Sequence, residues 1–104
     1  MILRSTVVAA HQELGLPTDD ETVDEAWEEI QGATAERTEQ LHQVLTAEWR
    51  QANPEAGSEI PYLDNVRIGE QAQRRAQEEI LEEWINEPVR DAISRREENA
   101  AESA

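Results

Sequence analysis

The sequence predicts an all-α fold, a small bundle of three to four helices dominated by a long antiparallel helix pair. Apolar residues recur at three- and four-residue steps along most of the chain, and no segment alternates as a strand would. Glu outnumbers Asp by 19 to 5, which suits helices. A chain of 104 residues is typical of one domain. We expect that domain to cover residues 1–97, with a frayed polar tail over 98–104.

The first helix is predicted over residues 2–14. Its apolar side chains Leu3, Val7, Ala10 and Leu14 fall on one stripe. The following Gly-Leu-Pro sequence ends it, because Gly accepts the left-handed conformation of a helix end and Pro cannot continue the helix.

A long second helix is predicted from Thr18 to about Ala52. Thr18 and Glu21 have the spacing of a capping box at its start. Gly32 falls opposite the apolar stripe, so it weakens the helix without breaking it. The stripe keeps its phase within about 100° of arc, and it consists of Val23, Trp27, Ile30, Thr34, Leu41, Leu45, Trp49 and Ala52.

The third helix is predicted to follow Asn53–Pro54 and an extended connector at residues 60–63, with Asp64 or Asn65 as its cap. Pro88 predicts a break near Asn86–Glu87 and a short last helix, with a single kinked helix as the alternative. The row expected to face the second helix consists of Ala72, Ala76, Ile80 and Trp84, with Leu81 and Ile85 beside it.

The composition excludes several chemistries. The chain has no cysteine, so disulfides, thiolate metal sites and cysteine nucleophiles are excluded. A small secreted domain usually needs disulfides, so we expect a cytoplasmic or intravirion setting. No long apolar run predicts a signal peptide or a membrane span, and we expect no membrane partner.

The net charge of −15 is the strongest compositional signal. It repels nucleic-acid backbones and attracts basic surfaces, so we expect a protein partner rather than direct nucleic-acid binding. Helix capping and solvation explain much of the acid run from Asp19 to Glu29. A docking surface for a basic partner is the competing interpretation, and its candidate residues are Asp20, Asp24, Glu25, Glu28, Glu29 and Glu36.

The tryptophans offer a second kind of candidate. Trp27 and Trp49 share a stripe but lie about 33 Å apart along it, too far to share one pocket. Core filling is the default expectation for each. A thin helical layer cannot cover both ends of the stripe, however, so Trp49 is the first candidate for a partner contact and Trp84 the second.

No catalytic constellation is evident. Glu39 and His42 have the Glu-x-x-His spacing of helical carboxylate metal sites, but the motif occurs once and Glu39 falls on the solvent side. His11 flanks the first stripe, where a structural role is expected. We therefore predict a protein that is not an enzyme and has no catalytic residue, cofactor or metal.

The order of a short helix, a Pro–Asp break and a long acidic helix over residues 2–45 resembles the small all-helical connector proteins of tailed-phage necks. The resemblance implies a structural role. The first function hypothesis is an assembly or adaptor protein in a homo-oligomer or larger complex. The second is an acidic inhibitor that imitates nucleic acid, and the third is a carboxylate–His metal protein.

Overall fold

The computed structural model describes residues 1–103 and confirms the all-α fold. A 3-10 turn, Pro54–Ala56, lies between the second and third helices, and a π-helical segment, Glu82–Asn86, joins the third to the fourth. No strand occurs among these residues. The helices are α1 (Arg4–Leu14), α2 (Asp20–Ala52), α3 (Tyr62–Leu81) and α4 (Glu87–Ser103).

Helix α1 ends where the sequence predicts, and it begins at Arg4. Gly15 has a φ of 69°, the left-handed conformation that favours glycine. In this geometry the N–H of Leu16 donates to the carbonyl of His11 at 2.8 Å. The connection to α2 is therefore a short, hydrogen-bonded turn.

Helix α2 is unbroken over its 33 residues, as predicted. Gly32 lies within it, and a Cβ added there would meet nothing within 4 Å. The predicted capping box is wrong. Asp19 caps the helix instead, because its carboxylate accepts from the N–H of Thr22 at 3.1 Å.

Helix α3 begins at Tyr62, so the predicted connector at 60–63 is confirmed only for residues 60–61, and the predicted cap at Asp64 or Asn65 is wrong. The extended residue Pro61 precedes the helix, and its carbonyl accepts from Asn65 N–H at 2.9 Å. Tyr62 and Leu63 consequently stand on the first turn of the helix, and both side chains are exposed.

The helical path continues through Pro88, so the predicted break near Asn86–Glu87 is wrong. In the π-helical segment the N–H of Glu87 donates to the carbonyl of Glu82, five residues earlier. A proline in a regular helix removes one hydrogen bond and clashes with the carbonyl four residues before it. The wider turn accommodates the proline ring without ending the helix.

The π-helical segment also changes which residue follows Ile80 in the core, so the predicted buried row is wrong at Trp84. One extra residue in the turn rotates the helix, so Ile85 follows Ile80 in the core instead of Trp84. Ile85 is 8% exposed and Trp84 is 41% exposed. Val89, four residues after Ile85, packs against the same cluster.

Helix α4 extends past Glu97 to Ser103, and Ala104 lies outside the described residues. The frayed tail over 98–104 thus stays a prediction. No helix among residues 1–103 combines the length and the apolar character needed to cross a lipid bilayer.

The core has two parts because α2 and α3 pack along each other and α1 covers only one end of the pair. The first cluster joins α1, the first half of α2 and the end of α3 with the π-helical segment, through Ile2, Val7, Ala10, Val23, Ile30, Ile80 and Ile85. The second cluster involves α2 and α3 alone, through Leu41, Leu45, Ile68, Ala72 and Ala76. The molecule measures 66 × 32 × 15 Å, a long and thin layer.

Candidate interaction surfaces

The two ends of the molecule differ in charge as well as in helix number. We call residues 40–77 the two-helix end, and the remainder the three-helix end. The two-helix end carries five acids and four arginines, a net charge of −1. The three-helix end carries 19 acids and five arginines, so it holds −14 of the total of −15. The charge of this protein is therefore segregated along its long axis.

Large apolar side chains are exposed at the two-helix end. Tyr62 is 79% exposed and Leu63 is 68% exposed, while Val44 and Val66 are exposed to lesser degrees. Two helices form a single layer, so no other α-helix among residues 1–103 covers their remaining faces. These side chains remain accessible because α1 does not reach them.

One broad face of the α2–α3 pair bears no charged side chain. A groove of about 700 Å³ marks it, and Gln31, Ala35, Thr38, Gln73 and Gln77 line that groove from both helices. Met1 also lines the groove, and its amino group donates to Gln77 Oε1 at 2.8 Å. Steps of three, four and seven residues continue the same face along each helix. We call this surface the neutral face, and it comprises Gln31, Ala35, Thr38, His42 and Trp49 of α2 with Tyr62, Val66, Gly69, Gln73 and Gln77 of α3.

The acid run at the start of α2 divides into carboxylates that cap a helix or bind Arg4 and carboxylates that have neither role. Hydrogen bonding from Thr22 lowers the pKa of Asp19, the helix cap. The Arg4 guanidinium contacts Asp24 at 2.6 Å and Asp20 at 3.0 Å, and these bonds raise the pKa of Arg4. Asp20 and Asp24 therefore tie α1 to α2.

The other four acidic candidates have no such role. Glu25, Glu28, Glu29 and Glu36 are exposed, and within residues 1–103 no ion pair engages them. Glu25, Glu29 and Glu36 follow one another at four and seven residues, so they form a row along one side of α2. The structure brings these carboxylates together as a solvated acidic surface.

The tryptophans occupy three different environments. Trp27 is half-buried, and its Nε1 donates to the carbonyl of Ile2 at 3.1 Å. Trp49 is half-buried against the second core cluster at the edge of the neutral face. Trp84 lies far from Trp49. Its neighbour Glu83 binds Arg37, and Arg37 precedes Trp49 by about 18 Å along α2. Trp49 and Trp84 therefore do not share a site.

The Glu-x-x-His pair is not assembled into a larger cluster. Glu39 is exposed and His42 is half-buried. Among residues 1–103 no group of three His, Asp or Glu side chains is placed to hold a metal ion. His11 is buried and its Nδ1 lies 2.8 Å from the carbonyl of Pro17, which can only accept. His11 therefore donates from Nδ1 and fastens the α1–α2 turn.

An ion-pair network joins α2 to α3 where the two ends meet. Arg37 donates to Glu79 at 2.9 Å and to both oxygens of Glu83 at 3.0 and 3.1 Å. The bonds to Glu83 and Glu79 raise the pKa of Arg37, and Arg37 in turn lowers the pKa of Glu83. Because Arg37 binds two carboxylates one turn apart, Glu79 and Glu83, the contact favours one register of α2 along the third helix.

A second cleft lies between α1 and α4, with a volume of about 420 Å³. Glu13 and Arg90 are charged residues on its rim, and Arg96 of α4 closes its far side by donating to Glu13 Oε2 at 3.1 Å. Both charged rim residues are exposed, and Arg90 also binds Glu82. The cleft is a packing feature between helices with mostly apolar walls.

Sequence reasoning missed the exposed residues Tyr62, Leu63 and Val66 and the neutral face. A connector prediction for residues 60–63 gives no reason to single out Tyr62 and Leu63, the two apolar residues that the structure exposes on α3. Net charge summed over residues 40–77 is a signal that could have found this region. No protein-family model, curated protein or solved structure matches this chain.

Proposed function

We propose that this chain is a non-enzymatic helical protein–protein interaction module, an assembly or adaptor protein that acts through helix faces. The observation that carries the proposal is a pair of strongly exposed apolar side chains in the nearly neutral part of the chain. Tyr62 and Leu63, exposed by 79% and 68%, are adjacent on the first turn of α3, within residues 40–77 whose net charge is −1. Other exposed apolar side chains lie in the acidic remainder, namely Met1, Leu3, Leu16, Trp84 and Ile93. Clustered exposed apolar surface typically marks a site of protein contact.

The free energy of burying apolar surface favours a contact site at the two-helix end. Each square ångström of apolar surface removed from water stabilises a complex by about 25 cal/mol. At the two-helix end a partner gains that energy without approaching a strong negative potential. At the three-helix end the same contact would oppose the field of the acidic side chains unless the partner were basic.

The setting we propose is the interior of a cell or a virion. The lack of cysteine supports it, as disulfides are the usual support of small secreted domains. The resemblance of residues 2–45 to phage neck connectors also favours an assembly role.

An acidic inhibitor of a nucleic-acid-binding protein is the second candidate. The row of Glu25, Glu29 and Glu36 on α2, with Glu28 beside it, is the observation that favours it. Such an inhibitor would occupy a basic cleft through carboxylates, and salt would weaken its binding steeply because the attraction is screened.

Partner capture in the native host tests the proposal. The tagged chain is compared with a variant in which Tyr62 and Leu63 are both Glu, and with one in which Glu25, Glu28, Glu29 and Glu36 are all Arg. The reversal spares Asp20 and Asp24, which bind Arg4.

We expect partners that persist from about 50 to about 500 mM salt and that only the Tyr62→Glu, Leu63→Glu variant loses. Partners that dissociate at high salt and that only the charge reversal abolishes would contradict the proposal and support the acidic inhibitor.

A further inference from the structure

We propose that the neutral face pairs with the neutral face of a second copy, so that two α2–α3 layers form a four-helix core in a symmetric dimer. This inference rests on the proposed function and names the partner that the interaction module takes. It starts from the incomplete second core cluster, which contains residues of only α2 and α3.

Charge is the first argument for a second copy as the occupant. Two molecules of net charge −15 repel each other over most of their surfaces. The neutral face is the broad surface of the helix pair on which no carboxylate meets a carboxylate, since its α2 and α3 residues include no acid. A twofold axis places the same patch against itself, so a patch of uncharged side chains, with the Met1 amino group beside Gln77, is compatible with its own copy.

The outer side of α3, turned away from α2, is less suitable. Leu63 is exposed there, but Arg67 and Arg74 follow it at four and eleven residues along α3. A twofold contact through that side would bring like charges together, because a residue near the axis meets its own copy. The neutral face avoids this cost.

The area of the neutral face is the second argument. From Gln31 to Trp49 it extends for about 27 Å, and two helices side by side are about 20 Å wide. The projected area is thus roughly 550 Å² on each molecule, near the lower limit of about 1,200 Å² in total for a specific complex. The expected dimer is therefore reversible and depends on protein concentration.

The chemistry of the face also fits a helical partner of its own kind. Half-buried Trp49 and exposed Tyr62 supply aromatic surface, and the amides of Gln31 and Gln73 can donate and accept across a twofold axis. Ala35 and Gly69 are small, so they allow two helices to approach closely. A four-helix arrangement is the common way in which such layers complete a core.

The test is the molar mass in solution, measured by light scattering over about a hundredfold range of protein concentration. We expect the mass to rise from the 11.8 kDa of one chain toward twice that value. Raising salt from about 50 to about 500 mM is expected to tighten the dimer several-fold, because salt screens repulsion between the acidic ends. Monomer throughout, at both salt concentrations, would overturn the proposal.

Two matched variants locate the interface. Ala35 lies in the groove of the neutral face, and Ala47 is exposed on another side of α2. Ala35→Glu adds a carboxylate within the face and is expected to weaken the dimer at least tenfold, whereas Ala47→Glu leaves it unchanged. Both substitutions keep a strong helix former, and helical circular dichroism checks the fold. Equal effects of the two variants, or none from Ala35→Glu, would overturn the assigned face.

The failure of this inference is distinguishable from failure of the proposed function. A purified chain that stays monomeric, yet keeps salt-resistant partners that Tyr62→Glu, Leu63→Glu removes, would refute self-pairing and leave the interaction module standing. A salt-tightened dimer in a chain that captures no salt-resistant partner except its own copy would restrict the module to homo-oligomeric assembly.

Discussion

The three-helix end and the two-helix end share the long helix α2 but differ in how its core is covered and in the charge of their surfaces. At the three-helix end, α1 covers α2 and α4, the core side chains Val7, Val23 and Ile80 are fully buried, and the exterior is strongly acidic. At the two-helix end Ala72 and Ala76 are fully buried but Leu41 and Leu45 keep 8% exposure, the exterior is almost neutral, and Tyr62 and Leu63 are strongly exposed. α1 covers the core at one end only, and the other end is the surface that we propose for association.

The largest expected effect compares the two cores directly. Ile80→Ala should lower the free energy of unfolding by about 3–5 kcal/mol, because a closely packed site leaves a cavity. Leu45→Ala should cost about 2–3 kcal/mol in the monomer, since an open layer collapses or admits water more easily. Urea unfolding at low protein concentration measures both. Equal costs would mean that the two ends are equally well packed.

The next effect tests the register set by the π-helical turn. Ile85→Ala should cost about 2–4 kcal/mol, while Trp84→Ala should cost only about 1 kcal/mol because the indole is 41% exposed. A regular helix would give the reverse order, with Trp84 following Ile80 in the buried row. The same urea titrations decide between the two registers.

A pair of glycine substitutions separates folding from association. Gly32 and Gly69 both lie in helices, and an added Cβ at either position meets nothing within 4 Å. Each Gly→Ala change should therefore stabilise the monomer by about 0.5–1 kcal/mol. Only Gly69→Ala should alter the dimer dissociation constant, because Gly32 is outside the neutral face. A change in dimerisation with Gly32→Ala would contradict the assignment.

The smallest expected effect is a pH dependence at the boundary between the ends. Arg37 holds the pKa of Glu83 below its ordinary value in the folded state. The contact therefore stabilises the protein above the ordinary pKa of Glu83, and this contribution is lost as the pH falls through the lower, folded value. We expect Glu83→Gln to show a shallower loss of melting temperature on acidification below a pH of about 4 than wild type.

Glu78→Gln is the control for this titration, because no ion pair engages Glu78 within residues 1–103. It removes the same charge without touching Arg37. Identical acid profiles for the two variants would show that net charge, and not the Arg37 contact, governs the response.

The features that sequence predicted well are those set by local periodicity. The phase of the stripe from Val23 to Trp49 and the stop at Gly15 required only helix geometry and turn chemistry. The start of α3 was missed because Pro61 permits a helix to begin directly after it without a side-chain cap. The π-helical turn was missed because it depends on tertiary packing. Burying Ile85 stabilises the fold by more than the irregular turn costs.

The candidate site was predicted only in part. The acidic residues are exposed as expected, and Asp20 and Asp24 in addition bind Arg4, a contact between helices that spacing within one helix cannot reveal. The neutral face was missed for the same reason, because it combines residues of α2 and α3 whose alignment is set by their packing. Charge summed over the whole chain concealed its uneven distribution.

Hydrogen–deuterium exchange at several protein concentrations tests most directly whether association completes the two-helix end. As the concentration rises by about a hundredfold, amides of residues 31–52 and 62–77 should exchange more slowly, while those of α1 and of residues 20–30 should not change. Protection that is independent of concentration throughout, or that increases first at the acidic three-helix end, would contradict the account.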